Sequence, residues 1–234
     1  MSYTYATRMK KLFPFLMILL CFACEQEPVE PVELGYEYMP LEEGRFWVYG
    51  VNETVVYGED DIESSYFFYQ DHISHSYLNQ EGRLVYTVSR SKSSDQLSWE
   101  SHSTYTLQIK NNALIRLQDN LNKIPLVFPV ASASLWDGNA YNVFPIDDYQ
   151  MQTPGPFTIE GNTYNNAVKI IQQEEDDLIT IRDNRFEVYA FGVGMIEQYI
   201  ETLTYCSRND CLGEQIIESG RLSHLELITH GKYQ

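Results

Sequence analysis

From Phe46 to His230 the chain repeatedly alternates apolar and polar residues, the period-two pattern of half-buried β-strands. The clearest instance is residues 104–117. There Tyr105, Leu107 and Ile109 alternate with Thr104, Thr106, Gln108 and Lys110, and Asn111-Asn112, which tolerate positive φ, precede Leu114 to Leu117. This spacing predicts a hairpin. A second is predicted where "NQEG" (79–82) separates β-forming runs at 64–78 and 83–91, and a third where 157–173 folds about Glu160-Gly161-Asn162. Residues 46–58 read as two short runs about Asn52-Glu53, offering Val48, Val55, Val56 and Tyr57 for burial, and 178–191 as a hairpin turning at Asp183-Asn184. Residues 195–205 and 221–230 supply two more alternating strands.

Between them lies a proline-rich stretch with Pro125, Pro129, Pro145, Pro154 and Pro156. Proline donates nothing to a ladder, so extended edge segments are expected here, with one short helical turn near Ala131 to Leu135. No segment of the mature chain sustains a helical period over about 12 residues, the length at which it becomes diagnostic. The pattern therefore predicts an all-β class: a single antiparallel domain over residues 36–234 with at most one or two short helices. A sandwich and a curled half-barrel both satisfy it.

The amino terminus follows different rules. Arg8, Lys10 and Lys11 precede an apolar run from Leu12 to Ala23. A spanning helix needs about 20 apolar residues, so this is the size of a secretory h-region instead. Ala23 stands before Cys24 with Leu19 and Leu20 upstream, and this resembles the lipobox of bacterial lipoproteins. The resemblance implies lipidation of Cys24 and loss of residues 1–23. Cys21 departs from it, standing where Leu is usual. The rival reading is a plain secretory signal with a chance cysteine. Residues 24–35 carry Glu25, Glu27, Glu30 and Glu33 with Pro28 and Pro31, a solvated tether. Acid directly after the cysteine also resembles the export signal of some Gram-negative surface lipoproteins. The implied location is the cell envelope, on an outer membrane, periplasmic or surface-exposed.

Charge narrows the partners. The chain holds 33 acidic and 16 basic residues, and removing residues 1–23 takes the formal charge from −17 to −20. Nucleic acid is a poor partner for such a chain, because phosphate binding draws on clustered Lys and Arg. Membrane attachment falls to the acyl chains. Outside the cytoplasm, Cys206 and Cys211 in "YCSRNDCLG" read as a disulfide at a hairpin end. A zinc site would need four ligands, and no second pair exists.

"YMPLEEGRFWVYGV" (38–51) and "EVYAFGVGMIEQ" (187–198) resemble paired signatures of an uncharacterised, Bacteroidota-like group of Gram-negative surface lipoproteins. The group carries a Tyr-x-Pro-Leu-x-x-Gly-x-x-Trp-x-Tyr opening motif and a late Tyr-x-x-Gly-Val-Gly-x-Ile hairpin. An intervening "FP…WDGN" is matched by Phe128-Pro129 and Trp136 to Asn139. Phe191 stands where the group more often has Pro. The resemblance implies no activity.

Candidate chemistry is sparse. Gly192-Val193-Gly194 lacks the third glycine of a dinucleotide fingerprint, so a close backbone approach between strands is expected. Glu59-Asp60-Asp61 and Glu174 to Asp177 lack calcium-loop spacing and read as solvated turns. His72 and His75 would face opposite sides of a strand. No G-x-S-x-G elbow occurs. No catalytic residue, metal or cofactor is assigned. Trp47, Tyr66, Phe68 and Trp136 are the candidate ligand-contact aromatics, against the reading that they pack a core. The expected function is a lipid-anchored envelope binding or structural module, not an enzyme, with a hydrophobic ligand, glycan or envelope protein as partner. The alternative is an envelope hydrolase with a loop-built site.

Overall fold

The computed structural model describes residues 33–233, so the signal segment, Cys24 and most of the tether lie outside the described residues. Among the described residues, a 3-10 turn at Tyr36–Tyr38 precedes thirteen strands. These are β1 (Arg45–Gly58), β2 (Asp61–Leu78), β3 (Leu84–Ser93), β4 (Glu100–Lys110), β5 (Ala113–Gln118) and β6 (Leu121–Val127). The second half holds β7 (Leu135–Asp137), β8 (Asp148–Met151), β9 (Gly155–Ile159), β10 (Asn162–Asp176), β11 (Ile181–Ala190), β12 (Gly194–Tyr205) and β13 (Ile217–Lys232). The strands form one antiparallel sheet in the order β6-β5-β4-β3-β2-β1-β13-β12-β11-β10-β8-β7, with β9 added beside β10. Of the two architectures the sequence allows, the chain adopts the curled one.

Two six-strand meanders meet where β1 pairs with β13, Val51 lying opposite Leu225. The far edges approach each other. Ile124 N in β6 donates to Gly138 O just after β7 (2.9 Å), and the Trp136 indole donates to Ile124 O (2.7 Å). Glycine is required at 138, since a Cβ there would stand 2.4 Å from Tyr149 Cζ.

Hairpins at 79–83, 111–112 and 160–161 lie where the pattern puts them. Asn111 and Asn112 adopt φ of 52° and 57°, the left-handed region asparagine tolerates. Residues 46–58, however, are one strand and not two. Asn52 is held on both sides, by Tyr66 and by His224, and the turn falls at Glu59-Asp60. Residues 181–190 are likewise continuous. Asn184 donates to Glu201 and Arg185 to Asp183, while the reversal is built upstream by Asp177, whose carboxylate accepts the N–H groups of Ile179, Thr180 and Ile181. No helical turn forms at 131–135. Ala133 takes φ 62° in a tight turn leading into β7. Pro125 sits in β6, an edge of the sheet order, where a missing donor is tolerated.

The inside of the curl holds the core: Val51, Ile73, Val88, Leu107, Leu114, Leu126, Ile170 and Leu227 are all buried. Residues 36–41 pack across one end. Tyr36 meets Phe128 edge-on (4.8 Å between centroids), Tyr38 meets Phe191 (5.6 Å), and Gly192 N donates to Glu37 O (2.8 Å).

The two signature motifs close on each other at this end. Trp47 Nε1 donates to Val193 O (2.7 Å) and the Tyr49 hydroxyl to Met195 O (3.1 Å). Gly194, at φ 111°, leaves room for the indole; a Cβ there would sit 3.0 Å from Trp47 Nε1. Gly192 and Val193 thus lie in the turn between β11 and β12, and what approaches Gly194 closely is the Trp47 indole, not the backbone of a neighbouring strand. Cys206 and Cys211 are paired beyond β12, their Cα atoms 5.9 Å apart, within the disulfide window.

Candidate functional site

At the end opposite the 36–41 plug the curl stays open and encloses a cavity of about 630 Å³. Its wall is polar. Strand alternation turns Tyr69, Arg90, Ser103, Arg116, Arg185, Glu187, Gln198, Arg221 and Ser223 toward it, with Lys123 from β6. Five of the thirteen Lys and Arg residues among the described residues line this one space, in a chain of strongly acidic composition.

Most of these cations are fixed from behind. Arg90 donates through Nε and Nη2 to Asp71 (2.6 Å each), and Asp71 also accepts the Tyr105 hydroxyl (2.9 Å). Arg90 lies over the Tyr69 ring, 4.6 Å from its centroid. From β5, Arg116 crosses the interior to Glu187 of β11 (2.8 and 3.1 Å) and to the Tyr189 hydroxyl (3.1 Å). Glu187 accepts further bonds from Tyr189 and from Gln198 Nε2 (2.7 Å). Arg185 forks onto Asp147 (3.0 Å twice) and reaches Asp183 (2.6 Å), and Arg221 pairs with Glu53. Lys123 makes no ion pair among the described residues. The buried Ser103 Oγ has no hydrogen-bond partner.

Electrostatics at the cavity floor follow from burial and pairing. Glu187 is only 2% exposed. Burial opposes its charge, yet Arg116, Tyr189 and Gln198 outweigh it and hold the carboxyl below its ordinary value. Burial also opposes the Arg90 and Arg116 charges, and Asp71 and Glu187 more than restore them. Burial pushes the Tyr105 and Tyr149 hydroxyls up, so both stay neutral, Tyr105 as the donor to Asp71. Bidentate arginine–carboxylate pairs orient planar donors and leave other guanidinium edges for a ligand.

The four candidate aromatics do not converge. Trp47 is 2% exposed and serves the lock at the plugged end. Trp136 closes the seam and meets Tyr149 edge-on (5.9 Å). Tyr66 and Phe68 pack edge-on together (5.1 Å) on the outer face, where Tyr66 lines a separate hollow with Gly50, Asn52, Glu160 and Glu226. His72 and His75 serve different neighbours. A bulge separates them, with His72 against Tyr233 and His75 bonded to Ser74 and Thr87. The residues that do converge come from eight strands and carry no local motif. Their one legible trace is the scarcity of basic residues, which makes each of them worth placing.

No protein-family model and no curated protein sequence matches the chain. Two solved structures are similar to it. One is a candidate exported protein with a YmcC-like fold from Bacteroides fragilis, with 11% identity and a TM-score of 0.37, covering 83% of this chain and 98% of that one. The other is a candidate lipoprotein from Parabacteroides distasonis, with 11% identity, a TM-score of 0.40 and the same coverage. Likeness at this level assigns no activity.

Proposed function

We propose that the chain is a lipid-anchored binding module of the bacterial cell envelope, and that its open-end cavity takes a small polar ligand bearing a carboxylate or sulfate, such as an acidic monosaccharide. The observation that carries this reading is the gathering of Arg90, Lys123, Arg116, Arg185 and Arg221 around one space in a chain of net charge −17. A volume of about 630 Å³ suits a small molecule. The charged groups on the wall favour such an anionic ligand over the purely hydrophobic one that the sequence leaves open. Binding is favoured over turnover because the cavity's four arginines are held by carboxylates and serve as fixed donors. The anchor rests on the resemblance at Cys24, and Cys24→Ser is expected to move the protein from the detergent phase to the aqueous phase.

The ligand reading is tested by calorimetric titration of glucuronate against glucose. Glucuronate is expected to bind and glucose to bind far more weakly. Lys123→Glu and Arg221→Glu, on the more exposed part of the wall, are expected to weaken glucuronate by about tenfold each, the effect of roughly 1.4 kcal/mol. Equal binding of the two sugars, or preferential uptake of a fluorescent fatty acid, would overturn it.

A further inference from the structure

A second constellation lies on the other side of the sheet. In β12 and β13 the residues facing the cavity are Gln198, Ile200, Arg221, Ser223 and Leu225, so Glu197, His224 and Glu226 beside them point to the outer face. Register brings these three together. Glu197 is directly opposite Glu226, and Tyr199 is opposite His224. Two carboxylates thus face each other across one rung, an arrangement that repels unless a cation lies between them. Among the described residues neither carboxylate is ion-paired to Lys or Arg; each has only His224.

We propose that Glu197, His224 and Glu226 form a binding site for a divalent transition ion of the zinc class. His224 Nε2 lies 2.7 Å from Glu197 Oε1 and Nδ1 lies 3.9 Å from Glu226 Oε2, and one donor atom from each residue falls within 4.8 Å of the others. Donors about 2.0–2.2 Å from a tetrahedral zinc ion stand about 3.3–3.6 Å apart, so binding through one ring nitrogen of His224 draws the widest pair in by roughly 1 Å and opens the hydrogen bond between His224 and Glu197 by somewhat less, both within reach of side-chain rotation. One imidazole and two carboxylates suit a borderline ion better than the all-oxygen shells of calcium or magnesium.

The surroundings favour a built site. Glu197 is 8% exposed although it lies on the outer face. Tyr199 meets the His224 ring edge-on (5.5 Å) and is itself stacked on Phe186 (5.4 Å), which fixes the imidazole plane. The β9–β10 hairpin tip overhangs the patch. Its Glu160 and Asn162 share a hollow of about 360 Å³ with Glu226, Asn52 and Tyr66, and the Glu160 charge acts on His224. Three protein ligands with an adjoining hollow leave coordination positions for water or for a further ligand.

The purified full-length chain, stripped with EDTA, is titrated calorimetrically with Zn²⁺, and separately with Co²⁺ while the visible absorption is followed. One equivalent of Zn²⁺ is expected to bind, with Ca²⁺ and Mg²⁺ in large excess failing to displace it. His224→Gln and Glu226→Gln are each expected to weaken Zn²⁺ by more than about tenfold, since even the loss of an outer-shell partner costs that much at metal sites. His75→Gln controls for adventitious histidine binding and is expected to change nothing. Glu226 is partly exposed, so Glu226→Gln keeps the test alive if His224→Gln misfolds, and circular dichroism reports folding of both. Absence of Zn²⁺ binding, unchanged affinity in a folded Glu226→Gln variant, or a preference for Ca²⁺ would overturn the site.

Discussion

The Arg116–Glu187 bridge is the sharpest test of how the curl is held, because it ties β5 to β11 across the interior. Arg116→Met keeps most of the apolar stem and deletes the charge. Glu187 then stays buried at 2% exposure with only Tyr189 and Gln198 as partners. Breaking a buried pair from one side costs about 3–5 kcal/mol, and the two surviving hydrogen bonds place this case near the lower end. Urea unfolding reads it directly. At a slope of about 2 kcal/mol per molar, a loss of about 3 kcal/mol moves the midpoint down by about 1.5 M with the slope unchanged. Arg116→Met with Glu187→Gln is expected to restore at least about half of the loss, since the amide carries no charge and still accepts the Tyr189 hydroxyl. Acidity supplies a second axis. In the native protein the Glu187 carboxyl is held below its ordinary value, so the bridge stabilises fully above that value and its contribution fades as pH falls through the lowered one. In Arg116→Met only the Tyr189 and Gln198 hydrogen bonds oppose burial, so the carboxyl rises from its native position and the penalty eases on acidification. A single variant within about 1 kcal/mol of the parent, far short of the buried-pair cost, or a gap unchanged at acid pH, would refute the reasoning.

Gly194→Ala places a methyl 3.0 Å from Trp47 Nε1 at φ 111°, and a thermal unfolding scan is expected to show a loss of about 1–3 kcal/mol. Trp47→Phe leaves the Val193 carbonyl without its donor and is expected to cost about 1–3 kcal/mol in denaturant unfolding. Thiol titration of the unreduced protein is expected to find neither Cys206 nor Cys211 free. Reduction is expected to remove about 2 kcal/mol while the β-type circular dichroism spectrum persists, because the bond closes a short loop.

The fold class was legible because alternation is a local signal, and the Asn111-Asn112 and Glu160-Gly161 hairpins were legible because their turn chemistry is local too. Asn52-Glu53 and Asp183-Asn184 misled for the same reason. Turn-forming residues had been captured by neighbouring strands, through partners such as His224 and Glu201 that are remote in sequence. Sandwich and half-barrel could not be separated, since the choice depends on whether β6 and β7 meet. The short motifs Trp47 to Tyr49 and Gly192 to Gly194 turned out to maintain the plugged end, so the most recognisable residues describe architecture. The cavity wall was not legible. Arg90, Arg116, Arg185 and Arg221 lie on four strands, and only register gathers them. The Glu197–His224–Glu226 group is hidden likewise, its members 27 residues apart at the closest bond.

The pairing of β1 with β13 has a consequence for how the molecule assembles. Every other hydrogen-bonded neighbour in the main strand order is close in sequence, so each meander is a low-contact-order unit. The β1–β13 junction instead joins the two ends of the domain. Closing so long a loop carries the largest entropic toll of any step and is repaid only when both halves offer formed edges. Cutting the chain between β6 and β7 and joining residue 233 to residue 33 through a flexible linker, which keeps the 36–41 plug, would make β13 and β1 neighbours in sequence and leave the short Ile124–Gly138 seam as the distant contact in place of a whole ladder. Such a permutant should fold faster than the natural chain at similar stability. The natural order therefore makes completion of the domain wait for its carboxyl-terminal strand.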